Sequence, residues 1–159
     1  MDRVNIATAE FQFDDDAAAG FRAGTVRPGK ALGAKVTGMS VYALPPGQAI
    51  CPYHYEYGEE EWLVVLEGHP TLRRPDGSTR LDPWDVAFFT TGPDGAHGVR
   101  NETEETVRVL MFSNVHHPGA TVYPDSDKIG IWTGNKADDL LARRSSGVTY
   151  YTDEPGTAQ

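Results

Sequence analysis

Cysteine is nearly absent from this sequence: Cys51 is the only one. That excludes an internal disulfide and any thiolate cluster around zinc, so a metal held by this chain must rest on histidine and carboxylate. Long apolar runs are missing too. Nothing approaches the roughly 18–20 residues that span a bilayer, and the opening stretch MDRVNIATAEFQF lacks the apolar centre of a secretory signal. Both absences lead us to expect a cytoplasmic protein. Basic residues are few, 14 against 23 acidic ones, for a formal net charge of −9. An acidic surface repels phosphate backbones and anionic headgroups, which argues against nucleic acid and membrane as partners.

Punctuation is what the chain has in quantity. Its 17 glycines and 11 prolines are spread along all 159 residues, with no fixed-period repeat and no low-complexity tract. A chain of this length fits one domain. Between the turn-forming stretches PPGQ, RPDGS, TGPDG and NETEE lie strand-like runs at Met39–Leu44, Tyr53–Glu56, Glu61–Glu67, Thr71–Arg74, Val86–Thr90 and Thr106–Ser113. In RPDGS the Asp-Gly pair is suited to the positive φ angles of a tight hairpin. Val107, Val109 and Met111 alternate with Arg108 before Leu110 and Phe112 make both faces apolar, the pattern of a strand passing from half-buried to fully buried. Closely spaced strands without amphipathic helices between them predict an all-β sandwich or barrel. One late stretch, KADDLLARR at Lys136–Arg144, reads as a short helix packed outside it, and DDDAAAG at 14–20 as a helical turn or a loose arm.

His54 and Glu56 stand two apart, so on a strand both side chains face the same way and can converge on one ion. Glu61 has odd spacing from both and can join them only if the chain turns between, for which Gly58 provides the place. His97 lies far along the chain in PDGAHGVRN, after another glycine-rich turn. Two imidazoles with one or two carboxylates suit Fe(II), Mn(II), Zn(II) or Ni(II). Elsewhere the simpler reading holds: His69, His116 and His117 as hydrogen-bonded structural residues, Glu59, Glu60 and Asp14 to Asp16 as solvated charges, and Cys51 as a small buried or half-buried residue. Tyr53 and Tyr55 point away from His54 and Glu56. Tyr42 and Phe88 are candidates for the cavity wall, and Arg73 for its mouth or for a solvated rim.

The pattern around these residues resembles the cupin superfamily. Gly47, His54-Tyr55-Glu56, Glu61 and Gly68 follow the order of the first cupin motif: a glycine, a His-x-His pair, a glutamate and a closing glycine. Pro93, Gly95, His97 and Asn101 follow the second: Pro-x-Gly, a histidine and an asparagine. Two departures stand out. Glu56 occupies the place of a histidine, and in DPWD at 82–85 Trp84 replaces the glycine of the usual Pro-Gly-Asp.

The resemblance implies a small single-domain cupin, an antiparallel β-barrel or jelly roll. Its barrel core would be 39–113, preceded by an arm and edge strands at 1–38 and followed by a C-terminal extension at 114–159 that includes the short helical segment. It implies a divalent metal on His54, Glu56, Glu61 and His97, and commonly a homodimer. The implied function is metal-dependent chemistry on a small polar molecule, of the dioxygenase (oxidoreductase) or isomerase and epimerase type. The alternative is a non-catalytic module that binds or senses a small molecule or sugar. Three roles are open to Glu56: a fourth ligand, a general base beside a His54–Glu61–His97 triad, or the mark of a site that has lost its metal.

Overall fold

The computed structural model describes residues 3–156, so the first two residues of the arm and the last three of the extension lie outside the description. Every strand pairing is antiparallel. A six-stranded sheet runs in the order β1 (Gln12–Phe13), β2 (Gly24–Val26), β3 (Thr37–Leu44), β10 (Val107–Asn114), β5 (Glu61–Glu67) and β8 (Val86–Phe89). A four-stranded sheet is ordered β13 (Leu140–Arg143), β12 (Lys128–Trp132), β11 (Gly119–Tyr123) and β4 (Tyr55–Tyr57). A third is ordered β7 (Gly77–Arg80), β6 (Thr71–Arg74) and β9 (Gly98–Arg100). Among the described residues the one α-helix, α1 (Pro28–Ala31), is a single turn against β3. Among the described residues no helix is long and apolar enough to cross a membrane.

The core follows from alternation. Leu63 and Val65 of β5, Val107 and Val109 of β10, and Leu44 of β3 are fully buried, and they pack with Leu72, Phe89 and Val99 into one cluster. Each such side chain contributes roughly 1.5–3 kcal/mol by leaving water. Burial decreases along β10 instead of increasing: Val107 and Val109 are buried, whereas Phe112 is 37% exposed. Phe112 pairs with Trp62, whose ring packs 4.7 Å from Phe88 on the outer face of the sheet. Phe88 is therefore no cavity residue; its neighbour Phe89 turns inward, as period-two alternation requires.

The KADDLLARR expectation also changes. Only Lys136–Asp138 makes a helical turn, of the 3-10 kind, and Leu140–Arg143 is strand β13 paired to β12. A lone segment of this length is marginal as a helix, whereas the open edge of β12 offers backbone partners at once. Asp139 fixes the changeover by accepting from Thr133 N at 2.8 Å. The RPDGS hairpin forms between β6 and β7, with Pro75 and Asp76 at its tip and Gly77 already paired to Arg74 at φ +137°. Proline's preset φ thus takes the position expected of Asp-Gly.

Two motif positions, Asn101 and Trp84, now have a structural reading. Asn101, completely buried, donates from Nδ2 to the carbonyls of Leu44 and Glu105 at 2.7 Å each, and its Oδ1 accepts from the N–H and hydroxyl of Thr103. It clamps the end of β3 to the turn before β10. Trp84 adopts the φ of +74° that a glycine would take, and its N–H donates to Val65 O at 2.7 Å. The turn is kept by strain at an exposed side chain. Replacing Trp84→Gly should therefore raise stability by about 1 kcal/mol, and Asn101→Ala should lower it by about 3 kcal/mol by orphaning buried carbonyls and N–H groups. Urea unfolding of both variants checks the two signs.

Candidate metal centre

The site begins in the backbone. His54 and His97 lie outside the regular strands but form an isolated antiparallel bridge, His54 N to His97 O at 3.0 Å and His97 N to His54 O at 2.8 Å. Reciprocal bonds of this kind place two side chains directly opposite on one face. The rings stand 4.6 Å apart between centroids. Phe89 stacks on His97 at 3.7 Å, and Tyr123 lies 6.0 Å from His54. The turn that delivers His97 requires a glycine at 95, where a Cβ would fall 1.7 Å from Thr90 O. Gly58, at φ +90°, makes the turn that lets Glu61 face back toward His54.

Each imidazole is oriented by a carbonyl on its far side. His54 Nδ1 lies 3.0 Å from Pro52 O, and His97 Nδ1 lies 2.9 Å from Gly95 O. A carbonyl can only accept, so both Nδ1 atoms carry the proton and both Nε2 atoms present lone pairs. Those lone pairs face Glu61 Oε2, 3.3 Å from His97 Nε2 and 3.9 Å from His54 Nε2. Glu61 Oε2 is buried and has no hydrogen-bond partner. Three potential ligand atoms thus converge, an arrangement that a cation satisfies. Ligands bound at about 2.1 Å to one ion sit roughly 3.0–3.4 Å apart; the His97–Glu61 distance lies in that range and the His54–Glu61 distance is longer. Burial, then His97, pushes the His54 imidazolium down to about 4, so the neutral ligand form prevails at neutral pH.

Of the four ligands expected from sequence, the structure brings together His54, Glu61 and His97, whose donor atoms all lie within 4.8 Å of one another. Glu56 does not join them. It faces the same cavity, of about 480 Å³, but its Oε1 accepts from Thr121 Oγ1 at 3.0 Å, and its Oε2 is buried without a partner. Burial, then Glu61 and Glu59, raises its carboxyl to about 8. Cys51 lines the cavity with Sγ 3.5 Å from His54 Nδ1, its thiol pushed up to about 12 by burial. Tyr42 lines it as expected, and Arg27 stands at its rim. Arg73 does not reach this cavity. It lies over the Tyr53 ring and bonds Asp125 in a separate depression.

Thr121, Tyr123 and Trp132 also line the cavity, from β11 and β12, and the sequence reading missed them. Their only signal was the two-residue spacing of Thr121 and Tyr123 in GATVY, which puts both on one face of a strand.

In metal-free protein Glu56 and His54 give opposite pH dependences. Glu56 holds a proton in the folded state that the unfolded chain releases near its ordinary value of 4.5; that stabilisation is lost as pH rises through about 8. His54 stabilises as the neutral ring above 6.5, and its contribution is lost as pH falls through about 4. Between pH 6.5 and 8 only Glu56 of this pair changes the balance. The melting temperature of chelator-treated protein should fall by several degrees across that window, corresponding to at most ~2 kcal/mol, and stay level in Glu56→Gln.

Comparison with known proteins agrees with this architecture. Residues 40–113 match the family model of the cupin domain. No curated protein matches the chain in sequence. The crystal structure of a cupin-superfamily sugar phosphate isomerase from Silicibacter pomeroyi superposes with a TM-score of 0.80 at 20% identity, over 94% of this chain and 98% of that one. A protein from Acidithiobacillus ferrooxidans, assigned as a sugar phosphate isomerase, gives 0.81 at 21% identity over 91% of each chain. The polyketide cyclase RemF from Streptomyces resistomycificus gives 0.61 at 21% identity over 73% of this chain and 80% of that one. Identities this low speak for the fold alone, and the fold and the motif-bearing segment agree: residues 40–113 match the cupin domain, and the chain has the cupin fold.

Proposed function

We propose that the protein is a metal-dependent isomerase that moves a proton between adjacent carbons of a small hydroxy-carbonyl compound, with sugars and their phosphates the first class to test. The observation that carries this reading is Glu56. It is a buried carboxyl in the cavity, beside the three converging ligands but not among them, with one oxygen tied to Thr121 and the other free. A general base needs that arrangement: one oxygen anchored, one presented, and a proton affinity near the operating pH. The raised value of about 8 in metal-free protein supports it, and a neighbouring cation would bring it toward neutrality. Two structures named as sugar phosphate isomerases, each matching over more than nine-tenths of this chain, support the same class.

His54, Glu61 and His97 would hold the ion. A divalent cation there would supply Lewis acidity, polarising a substrate carbonyl and making the adjacent C–H more acidic. Glu56 Oε2 would take that proton from the hydroxyl-bearing carbon and return it to the former carbonyl carbon. The hydroxyl proton passes to the former carbonyl oxygen, so atoms and charge balance with no external oxidant. Tyr42, Tyr123 and Trp132 are among the cavity walls that would surround the reacting carbon.

Proton transfer of this kind leaves a label. Protein loaded with Mn(II), Fe(II), Zn(II) or Ni(II) and incubated in D2O with a panel of aldoses, ketoses and their phosphates should place deuterium at carbon in at least one substrate, read by NMR. Glu56→Gln should retain its metal and lose roughly 100- to 10,000-fold of that exchange. Binding of a panel member with no exchange under any of these metals would favour the non-catalytic sensor. Oxygen consumption without exchange would favour the dioxygenase branch.

A further inference from the structure

Glu56 lines the same cavity as His54, Glu61 and His97, and its side chain has three rotatable bonds between backbone and carboxylate, so a change of rotamer would swing it toward the ligand cluster. Something keeps it out. Its Oε1 accepts from Thr121 Oγ1 at 3.0 Å, and Thr121 Oγ1 in turn accepts from Trp132 Nε1 at 2.7 Å. Thr121 is 2% exposed, and it is held directly opposite Glu56 by the β4–β11 pairing. The indole N–H can only donate. By occupying the hydroxyl's acceptor side it leaves the hydroxyl proton to point at Glu56, so the direction of the chain from Trp132 to Thr121 to Glu56 is fixed. Both residues belong to β11 and β12, beyond the segment that matches the cupin domain.

We propose that the Thr121 hydroxyl, oriented by Trp132, is a positioning group that holds Glu56 out of the metal's coordination sphere and so keeps it as a proton carrier instead of a fourth ligand. This rests on the reading of Glu56 given above. Without the hydroxyl, the carboxylate loses its only side-chain donor and is drawn to the nearest positive charge, the ion. An outer hydrogen bond of this kind typically changes metal affinity by 10- to 100-fold when removed. Here the sign is inverted, because its removal adds a ligand.

The experiment titrates Co(II) alone into the chelator-treated full-length protein and reads both the dissociation constant and the visible absorption bands, which respond to ligand number. Wild type, Thr121→Ser and Glu56→Gln should agree within about threefold, with the same spectrum. Thr121→Val should bind Co(II) about tenfold more tightly with a changed spectrum, and the double variant Thr121→Val/Glu56→Gln should revert. Thr121→Ala, which removes the hydroxyl without adding bulk, should behave as Thr121→Val and carries the test if the valine variant is poorly folded. Hydroxyl-lacking variants that fold and match wild type in affinity and spectrum would overturn the positioning role alone. A tenfold loss of affinity in Glu56→Gln on the wild-type background would instead show that Glu56 already ligates, overturning both this role and the functional reading beneath it.

Discussion

Two hydrogen bonds between the backbones of His54 and His97 are the constraint on which the centre depends. They join segments far apart in sequence and set the two imidazoles opposite each other at a fixed spacing. The turns on either side serve that bridge. Gly95 exists because Thr90 O passes where a side chain would be, and Gly58 reverses the chain so that Glu61 comes back to the pair. Carbonyls of Pro52 and Gly95, each two residues from its histidine, then set both rings with Nε2 inward. Local backbone therefore decides the tautomer, and the tautomer turns both Nε2 lone pairs toward Glu61.

The electrostatic character of the cavity follows from confining acids where water is scarce. Glu56, Glu59 and Glu61 lie close enough that Glu61 and Glu59 both raise the Glu56 carboxyl, after the larger effect of burial. The same burial lowers His54 and raises Cys51. In each case the neutral form is favoured, which is what low dielectric does to any ionisable group without a partner. Glu61 Oε2 and Glu56 Oε2 are both buried and unpartnered, yet their settings differ. Glu61 faces two imidazole lone pairs, whereas Glu56 is restrained at its other oxygen by Thr121. One carboxylate faces the two imidazoles, and the other is tied to the opposite strand.

The barrel strands were legible because their signals are local. Glu61–Glu67 and Thr71–Arg74 were read to the residue, since Gly68 and Pro70 separate them and the turn RPDGS closes the second. The extension was not legible. Leu140–Arg143 is a strand because β12 leaves an edge open, and no property of KADDLLARR announces that edge. Val107 to Phe112 misled in the other direction, because an apolar outer face looks the same in sequence as a second buried face. Trp84 kept a glycine-like φ against its own preference, held by the strands on either side.

Sequence by itself determined that the chain builds a turn-rich all-β domain and that any metal must use histidine and carboxylate, and its motif order offered His54, Glu56, Glu61 and His97 as the candidates to hold one. Those properties reside in composition, in period-two patterning and in motif order, all readable along one strand at a time. Tertiary structure alone decided the place of Glu56. Spacing puts it beside His54 on the same face, and nothing along the chain says that Thr121 will lie opposite it with a hydroxyl aimed by Trp132. Which neighbour a flexible carboxylate chooses depends on groups brought from other strands, and that choice exists only once the sheets have closed.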